Sequence, residues 1–249
     1  MESLECLTAE CISLLHKNNL LKPLIKNELV GTLLSTVEIE KELKDTAIKK
    51  FITENLGLKD RESFQSWLTS NNYTHKDVED LALVGIRSKR YCKSKFEHQS
   101  ESQFLKRKSE LDIVVYSLIR VKDSNKAREL YIRVAEGEAD FGDLATMYSE
   151  GIESKTRGII GPVPIGTAHP SLKAHLKSSR PGEVQPPFIV EDSHVVIRVE
   201  SLDPAKLDDF MREKMAEELF NNWVEAKVNE IRNNLVNSKD LNKNAGSTL

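Results

Sequence analysis

The chain has 249 residues, 39% apolar, 30% charged and 6% aromatic, with 36 basic against 39 acidic side chains and a net charge of −3. That balance argues against a polyanion-binding surface, so no nucleic-acid partner is expected, and no apolar run approaches the roughly 18–20 residues of a membrane span. Cys6, Cys11 and Cys92 form no Cys-x-x-Cys pair and meet no histidine at zinc-finger spacing, so neither a metal nor a cofactor is expected.

The opening residues, MESLECLTAECISLL, carry Glu2, Glu5 and Glu10 where an export signal would carry Lys or Arg. With an odd number of thiols, this reads as a cytoplasmic protein. Cys6 and Cys11 lie five apart on an expected helix and read as packed or idle. Glycine and proline then divide the chain: seven of 11 glycines and six of 8 prolines fall between Gly137 and Pro187. Both residue types punctuate turns and end helices, so the flanks are expected to be helical and the middle mixed.

The N-terminal segment, 1–110, reads as several helices. Leu29, Leu33, Leu34 and Val37 stand at helical spacing, and Ile39, Leu43 and Ala47 continue a stripe. Asp60 opens a helix carrying Phe64, Trp67 and Leu68. Thr74 is an N-cap for the next one, with Asp77 in its first turn. That helix runs into RSKRYCKSK (87–95), five basic residues in nine, which reads as a solvated face beside acidic Glu79 and Asp80.

In the middle, DIVVYSLIRVK (112–122) alternates β-branched and aromatic residues as a strand does. SNKARELYIRVAE (124–136) reads as a helix capped by Ser124 and stopped at Gly137. Phe141, Leu144, Ala145 and Tyr148 mark a shorter one. A loop rich in Gly and Pro follows, then a helical turn PSLKAHLKS and a closing strand HVVIRVES (194–201). Pro204 is read as the start of a long helix to Val236, with Leu207, Met211, Met215, Leu219 and Trp223 four apart. Its apolar stripe wants a partner, and the N-terminal helices are the economical one. The polar tail 237–249 is expected to be disordered.

The run A-R-E-L-Y-I-R-V-A-E-G-E-A-D-F-G-D-L-A-T-M-Y-S-E-G, followed by G-I-I-G-P, G-T-A-H-P-S-L, R-P-G-E-V and H-V-V-I-R-V, resembles the parvulin-type peptidyl-prolyl isomerase domain. The resemblance covers roughly residues 111–203. The helical flanks resemble those of bacterial extracytoplasmic parvulin chaperones of the SurA/PrsA type, in which both flanks join into one module. The implied architecture is α+β: a small antiparallel sheet with surrounding helices (111–203), inserted between N-terminal (1–110) and C-terminal (204–236) segments of a helical domain. The implied partners are proline-containing polypeptide segments or a client protein. The sequence does not give the oligomeric state.

Parvulins as a family turn over Xaa–Pro bonds with two strand histidines, a nearby Cys or Asp, and a Met–Phe–Leu pocket. Carried onto this sequence, the first histidine falls on Leu118, the Cys/Asp on Gly151 and the second histidine on Val195. His194 is offset by one residue, which in a strand points to the other face unless a bulge intervenes. The pocket becomes Ala168, Leu172 and Ile160, and Ser149 sits in the family's spacing. The expected substrate-binding set is therefore Leu118, Ser149, Ile160, Ala168, Leu172 and Val195, with no catalytic residue retained other than a possible His194.

Two readings stay open: a rotamase with weak turnover, and a catalytically silent peptide clamp. A structural scaffold built on the long C-terminal stripe is a third. His169 reads as part of a turn, and His16, His75 and His98 as surface. Ser117 has no activating histidine or acid nearby in sequence. GIIGPVPIG (158–166) lacks the pattern of a nucleotide loop.

Overall fold

The computed structural model describes Leu4 and Cys6–Ala245, with side chains as far as Asn237. The chain forms two compact units: one from Met1–Gln103 with Asp208–Leu249, the other from Phe104–Leu207. These boundaries fall at 104 and 207 rather than at the expected 111 and 203.

The first unit is helical: α1 (Ala9–Lys17), α2 (Leu21–Ser35), α3 (Lys41–Lys50), a π-helical turn (Phe51–Asn55), α4 (Arg61–Asn71), α5 (His75–Phe96), the start of α6 (Ser100–Leu111) and a last helix that closes the chain. Short polar side chains set the helix starts. Asp60 accepts a hydrogen bond from the Ser63 amide at 2.8 Å. Thr74 and Asp77 form a reciprocal capping box, each accepting from the other's backbone N–H.

The chain-closing helix spans Asp209–Ala245 and does not start at Pro204. Asp208 caps it, accepting from the Met211 amide at 2.8 Å, while the Ala205 amide is drawn off by Asp112 in the other direction. At its far end the helix continues through residues the sequence reading assigned to a disordered tail. Of that tail, 246–249 lie outside the described residues.

The buried line of this helix is Ala216, Phe220, Val224 and Val228, with Met215 beside it. It is displaced by one position from the expected 211–215–219–223 stripe. The line packs with Leu21, Ile25 and Leu29 of α2, Ile12 of α1 and Cys92 of α5 in one core. Spacing by four on two helices makes such a seam. Tyr91, Phe96 and Phe220 meet with ring centroids 5.5–6.5 Å apart.

Three of the five basic side chains in 87–95 meet neighbouring carboxylates. Arg87 is nearly buried and binds Asp80 at 2.7 Å, Arg90 binds Glu40, and Lys89 faces Glu213 at 3.7 Å.

The second unit is an α+β module: the rest of α6, then β1 (Ile113–Val121), α7 (Ser124–Ala135), α8 (Phe141–Tyr148), a 3-10 turn (Ile152–Thr156), β2 (Ile159–Pro164), a second 3-10 turn (Ile165–Thr167), α9 (Pro170–Ser178), β3 (Val184–Val190) and β4 (Ser193–Asp203). The sheet order is β2-β1-β4-β3, every pair antiparallel.

β2 and β3 replace what the sequence reading took for loop. Both are edge strands, where proline is tolerated on the side that has no neighbour, and Pro186 and Pro187 fall where the β3–β4 register shifts between Gln185 and Phe188. The cap of α7 is Asp123, whose carboxylate accepts from the Asn125 and Lys126 amides. Ser124 is the first helical residue.

The central strands are apolar on both faces. Ile119, Val121 and Val196 pack under α7 and α8 with Ala127, Leu130, Phe141, Leu144 and Ala145. Val114, Tyr116, Leu118, Val195, Ile197 and Val199 pack on the opposite face with Ile165, Leu172 and Leu176 of the α9 side. Residues two apart on a strand share a face, so β1 and β4 each feed both cores.

Candidate functional site: the α9 face of the sheet

Two inner strands and one short helix build this face. Leu118 (β1) and Val195 (β4) lie side by side at its centre, Leu118 opposite Ile197 and Val195 opposite Arg120. Ile160 approaches from β2, across from Tyr116. Ala168 comes from the end of the 3-10 turn before α9, and Leu172 from the first turn of α9. All five sequence-predicted apolar residues, Leu118, Ile160, Ala168, Leu172 and Val195, thus belong to one cluster.

Their exposure separates floor from rim. Leu118 and Val195 are each 1% exposed and Leu172 7%, whereas Ile160 and Ala168 are half-buried. Leu118 and Val195 are the covered floor; a ligand would meet Ile160, Ala168 and the rim of Leu172 first. Phe188 of β3 closes one side, its ring stacked on His175 at 3.6 Å.

His194 stands opposite Val121, in the part of β4 that serves the α7/α8 face. The irregularity in β1–β4 pairing lies at Val115/Tyr116, far along the strand from His194. His169 caps α9, its Nδ1 accepting from the Ser171 amide at 3.3 Å, and its Nε2 lies 3.8 Å from a Glu191 oxygen in the β3–β4 turn. Ser117 faces the other side and donates to Glu200, which also accepts from Arg198 at 2.9 Å. Its partner is a carboxylate already held by Arg198 and not a histidine, which is not the pairing of an activated nucleophile.

Ser149 is not on the apolar floor. Its hydroxyl accepts from the Arg120 amide at 3.0 Å and donates to Glu153 at 2.8 Å, pinning the end of α8 to β1. The Glu153 side chain is 2% exposed, and its Oε1 also lies 3.6 Å from Nε of Arg120. Gly151 lies directly against this carboxylate: a Cβ there would stand 2.2 Å from Glu153 Oε2. The volume that a side chain at 151 would fill is therefore already occupied by Glu153.

Tyr116, 5% exposed, belongs to the same face. Burial pushes its hydroxyl pKa up; Arg120 pulls it down and Glu153 pushes it further up, so the hydroxyl lies within electrostatic reach of both.

The face is not apolar throughout. The leucine, valine and glycine stand where the resemblance places them, but Tyr116, Arg120 and Glu153 supply polarity from positions that the motif comparison does not inspect. Sequence could have flagged Arg120, the single charged residue within Ile113–Val121 and on the same parity as Leu118. Nothing local flags Glu153, whose burial depends on the turn that follows α8.

Among the described residues no cluster of three or more His, Cys, Asp or Glu side chains could hold a metal ion. No described helix is long and apolar enough to cross a membrane.

No curated protein matches the chain. Among solved structures, the peptidylprolyl isomerase PrsA of Bacillus anthracis is 15% identical, with a TM-score of 0.45, over 89% of this chain and 97% of that one. PrsA of Bacillus cereus is 17% identical, with a TM-score of 0.48, over 94% and 88%. A structure from a report on two SurA-like chaperones of Campylobacter jejuni is 18% identical, with a TM-score of 0.37, over 86% and 92%. Residues 119–201, which lie wholly within the second unit and run from β1 to β4, match the family described as the PPIC-type PPIase (rotamase) domain.

Proposed function

We propose that the second unit binds proline-containing polypeptide segments on its α9 face, as a rotamase-type module with weak turnover in a folding factor. The observation that carries this reading is the convergence of Leu118, Ile160, Ala168, Leu172 and Val195 on one face of a domain whose residues 119–201 match the PPIase family.

Catalysis of Xaa–Pro isomerisation breaks no bond. It requires only that the twisted imide be held better than either planar form, against a barrier of about 18–20 kcal/mol. A dry apolar pocket supplies part of that by desolvation. Preorganised polar groups supply the larger part, and here Leu118, Gly151 and Val195 offer none. Weak turnover is the balance of these two effects. A silent clamp is the same face with the desolvation effect too small to measure.

The helical unit would cradle the client, supported by a seam of two long helices joined to an inserted domain. We place the protein in a reducing compartment, supported by the exposed thiols of Cys6 and Cys11.

The test is a titration of isotope-labelled protein with short Xaa–Pro peptides. The reading expects shifts concentrated on Ile160, Ala168 and Leu172, abolished by Ala168→Trp, which fills the half-buried rim. Shifts confined to the helical unit would place the binding surface elsewhere and overturn it.

A further inference from the structure

The helical unit carries a cavity of about 350 Å³ where α3, the π-helical turn and the start of α4 meet. Ile48, Ile52, Leu58 and Phe64 give it an apolar lining, each of them half-buried. That volume lies in the range of small-molecule sites.

Local signals build the lining. Ile48 and Ile52 stand four apart and so share a helix face. The Leu56 amide reaches back to the Phe51 carbonyl at 3.2 Å, the wider winding of a π-turn. Gly57, at φ 69°, then turns the chain left-handed, and the Leu58 amide donates to the Ile52 carbonyl at 3.1 Å. In this kind of helix ending the residue after the glycine packs on the one whose carbonyl it binds, which brings Leu58 to Ile52. Asp60 caps α4 with both oxygens, one accepting from the Ser63 amide and the other from its hydroxyl, each at 2.8 Å. Phe64 follows in the first turn, its ring edge-on to His75 at 5.3 Å.

The charged lining is unbalanced. Lys49, Lys59, Arg61 and Asp45 are exposed around these apolar residues. Asp60 lines the cavity too, but Ser63 engages its carboxylate. Nearby Lys44 and Lys50 are matched by Glu79 and Glu54, whereas among the described residues Lys49, Lys59 and Arg61 make no ion pair. Three unmatched cations thus stand with one unengaged acid, Asp45. An aliphatic chain would cover the half-exposed lining, and a single carboxylate head would complement the excess positive charge.

We propose that this cavity is a binding site for an aliphatic monocarboxylate, a short fatty acid, with its chain on Ile48, Ile52, Leu58 and Phe64 and its head among Lys49, Lys59 and Arg61. The site is independent of the α9 face and of the reading of that face.

The experiment titrates isotope-labelled full chain with butyrate, hexanoate and octanoate, and with hexylammonium as the control of opposite charge. Saturable shifts should fall on Ile48, Ile52, Leu58 and Phe64, with affinity rising about two- to fourfold per added methylene. Hexylammonium should bind at least about threefold more weakly than hexanoate, and the difference should shrink at 0.5 M salt. Lys59→Gln/Arg61→Gln should lower octanoate affinity by about threefold or more. Thr53→Trp, a substitution at an exposed lining position, should fill the cavity and abolish the shifts.

Affinity independent of chain length, equal binding of hexylammonium, or binding unchanged in either variant overturns the inference. So does an absence of shifts at these four residues, even where an apolar acidic peptide binds there instead. Octanoate shifts confined to Ile160, Ala168 and Leu172 also overturn it and leave the proposed function standing.

Discussion

Replacing Gly151 by alanine should destabilise the second unit through a single side chain. Gly151 has φ −100° and ψ 178°, extended backbone open to any residue, so the substitution carries no backbone strain. The new Cβ would stand 2.2 Å from one Glu153 oxygen and 2.3 Å from the other. The carboxylate is the far end of a flexible side chain and can swing away, so the cost is what it holds in place. That is a hydrogen bond from the Ser149 hydroxyl at 2.8 Å and the pairing with Arg120 at 3.6 Å.

A hydrogen bond to a charged acceptor contributes about 1.5–3 kcal/mol, while a pair with a half-exposed arginine contributes under about 1 kcal/mol. A swung-out carboxylate recovers hydration and offsets part of this, so the expected loss is about 1–2 kcal/mol. Urea denaturation monitored on a probe in the second unit measures it, with the m-value unchanged. Glu153→Ala alone removes the same interactions, and the double variant Gly151→Ala/Glu153→Ala should cost clearly less than the sum. Full additivity of the two single losses would refute the reasoning, because it would mean that residue 151 and Glu153 do not compete for one space.

Other outcomes follow from the same structure. Asp77, Asp60 and Glu110 are held below the ordinary carboxylate range: Asp77 by the Thr74 hydroxyl and amide, Asp60 by the Ser63 amide and hydroxyl, and Glu110 by Lys173. Depressed folded-state values stabilise the protein above the unfolded pKa of about 4, and that contribution is lost as pH falls through the lowered values. Denaturation midpoints should therefore drop between pH 5 and pH 3, less steeply in Asp77→Asn; a midpoint flat over that window would contradict the assignment. Cys92 is buried in the α2–α5 seam with its thiol pushed up by burial, while Cys6 and Cys11 are exposed. A thiol reagent at neutral pH should label two cysteines quickly and Cys92 only on unfolding. Fast labelling of all three would show that the seam opens.

The inner strands were legible because β1 and β4 carry β-branched residues with few breaks, and the α5 start because Thr74 and Asp77 form a capping box visible in sequence. The edge strands were not. Pro162, Pro164, Pro186 and Pro187 argue against a strand unless its neighbours are known, and a sequence does not say which strand is outermost. The starts of α7 and of the Asp209 helix slipped for a related reason: Ser124 and Pro204 are good local signals, but Asp123 and Asp208 reach the right amides. On the site, the apolar residues were readable from motif positions, and strand parity separates His194 from Val195. Glu153 was not readable, because its role comes from a turn that folds it back over Gly151.

The account depends most on how the α9 face treats a prolyl bond. The decisive measurement is the relaxation of cis Xaa–Pro peptides towards equilibrium with the full chain at micromolar concentration, alongside the chemical shifts of Ile160, Ala168 and Leu172. Uncatalysed relaxation takes tens of seconds or more. The prediction is saturable binding at those residues with only a small acceleration, and loss of both in Ala168→Trp. Fast, catalytic relaxation that persists in Ala168→Trp would contradict it.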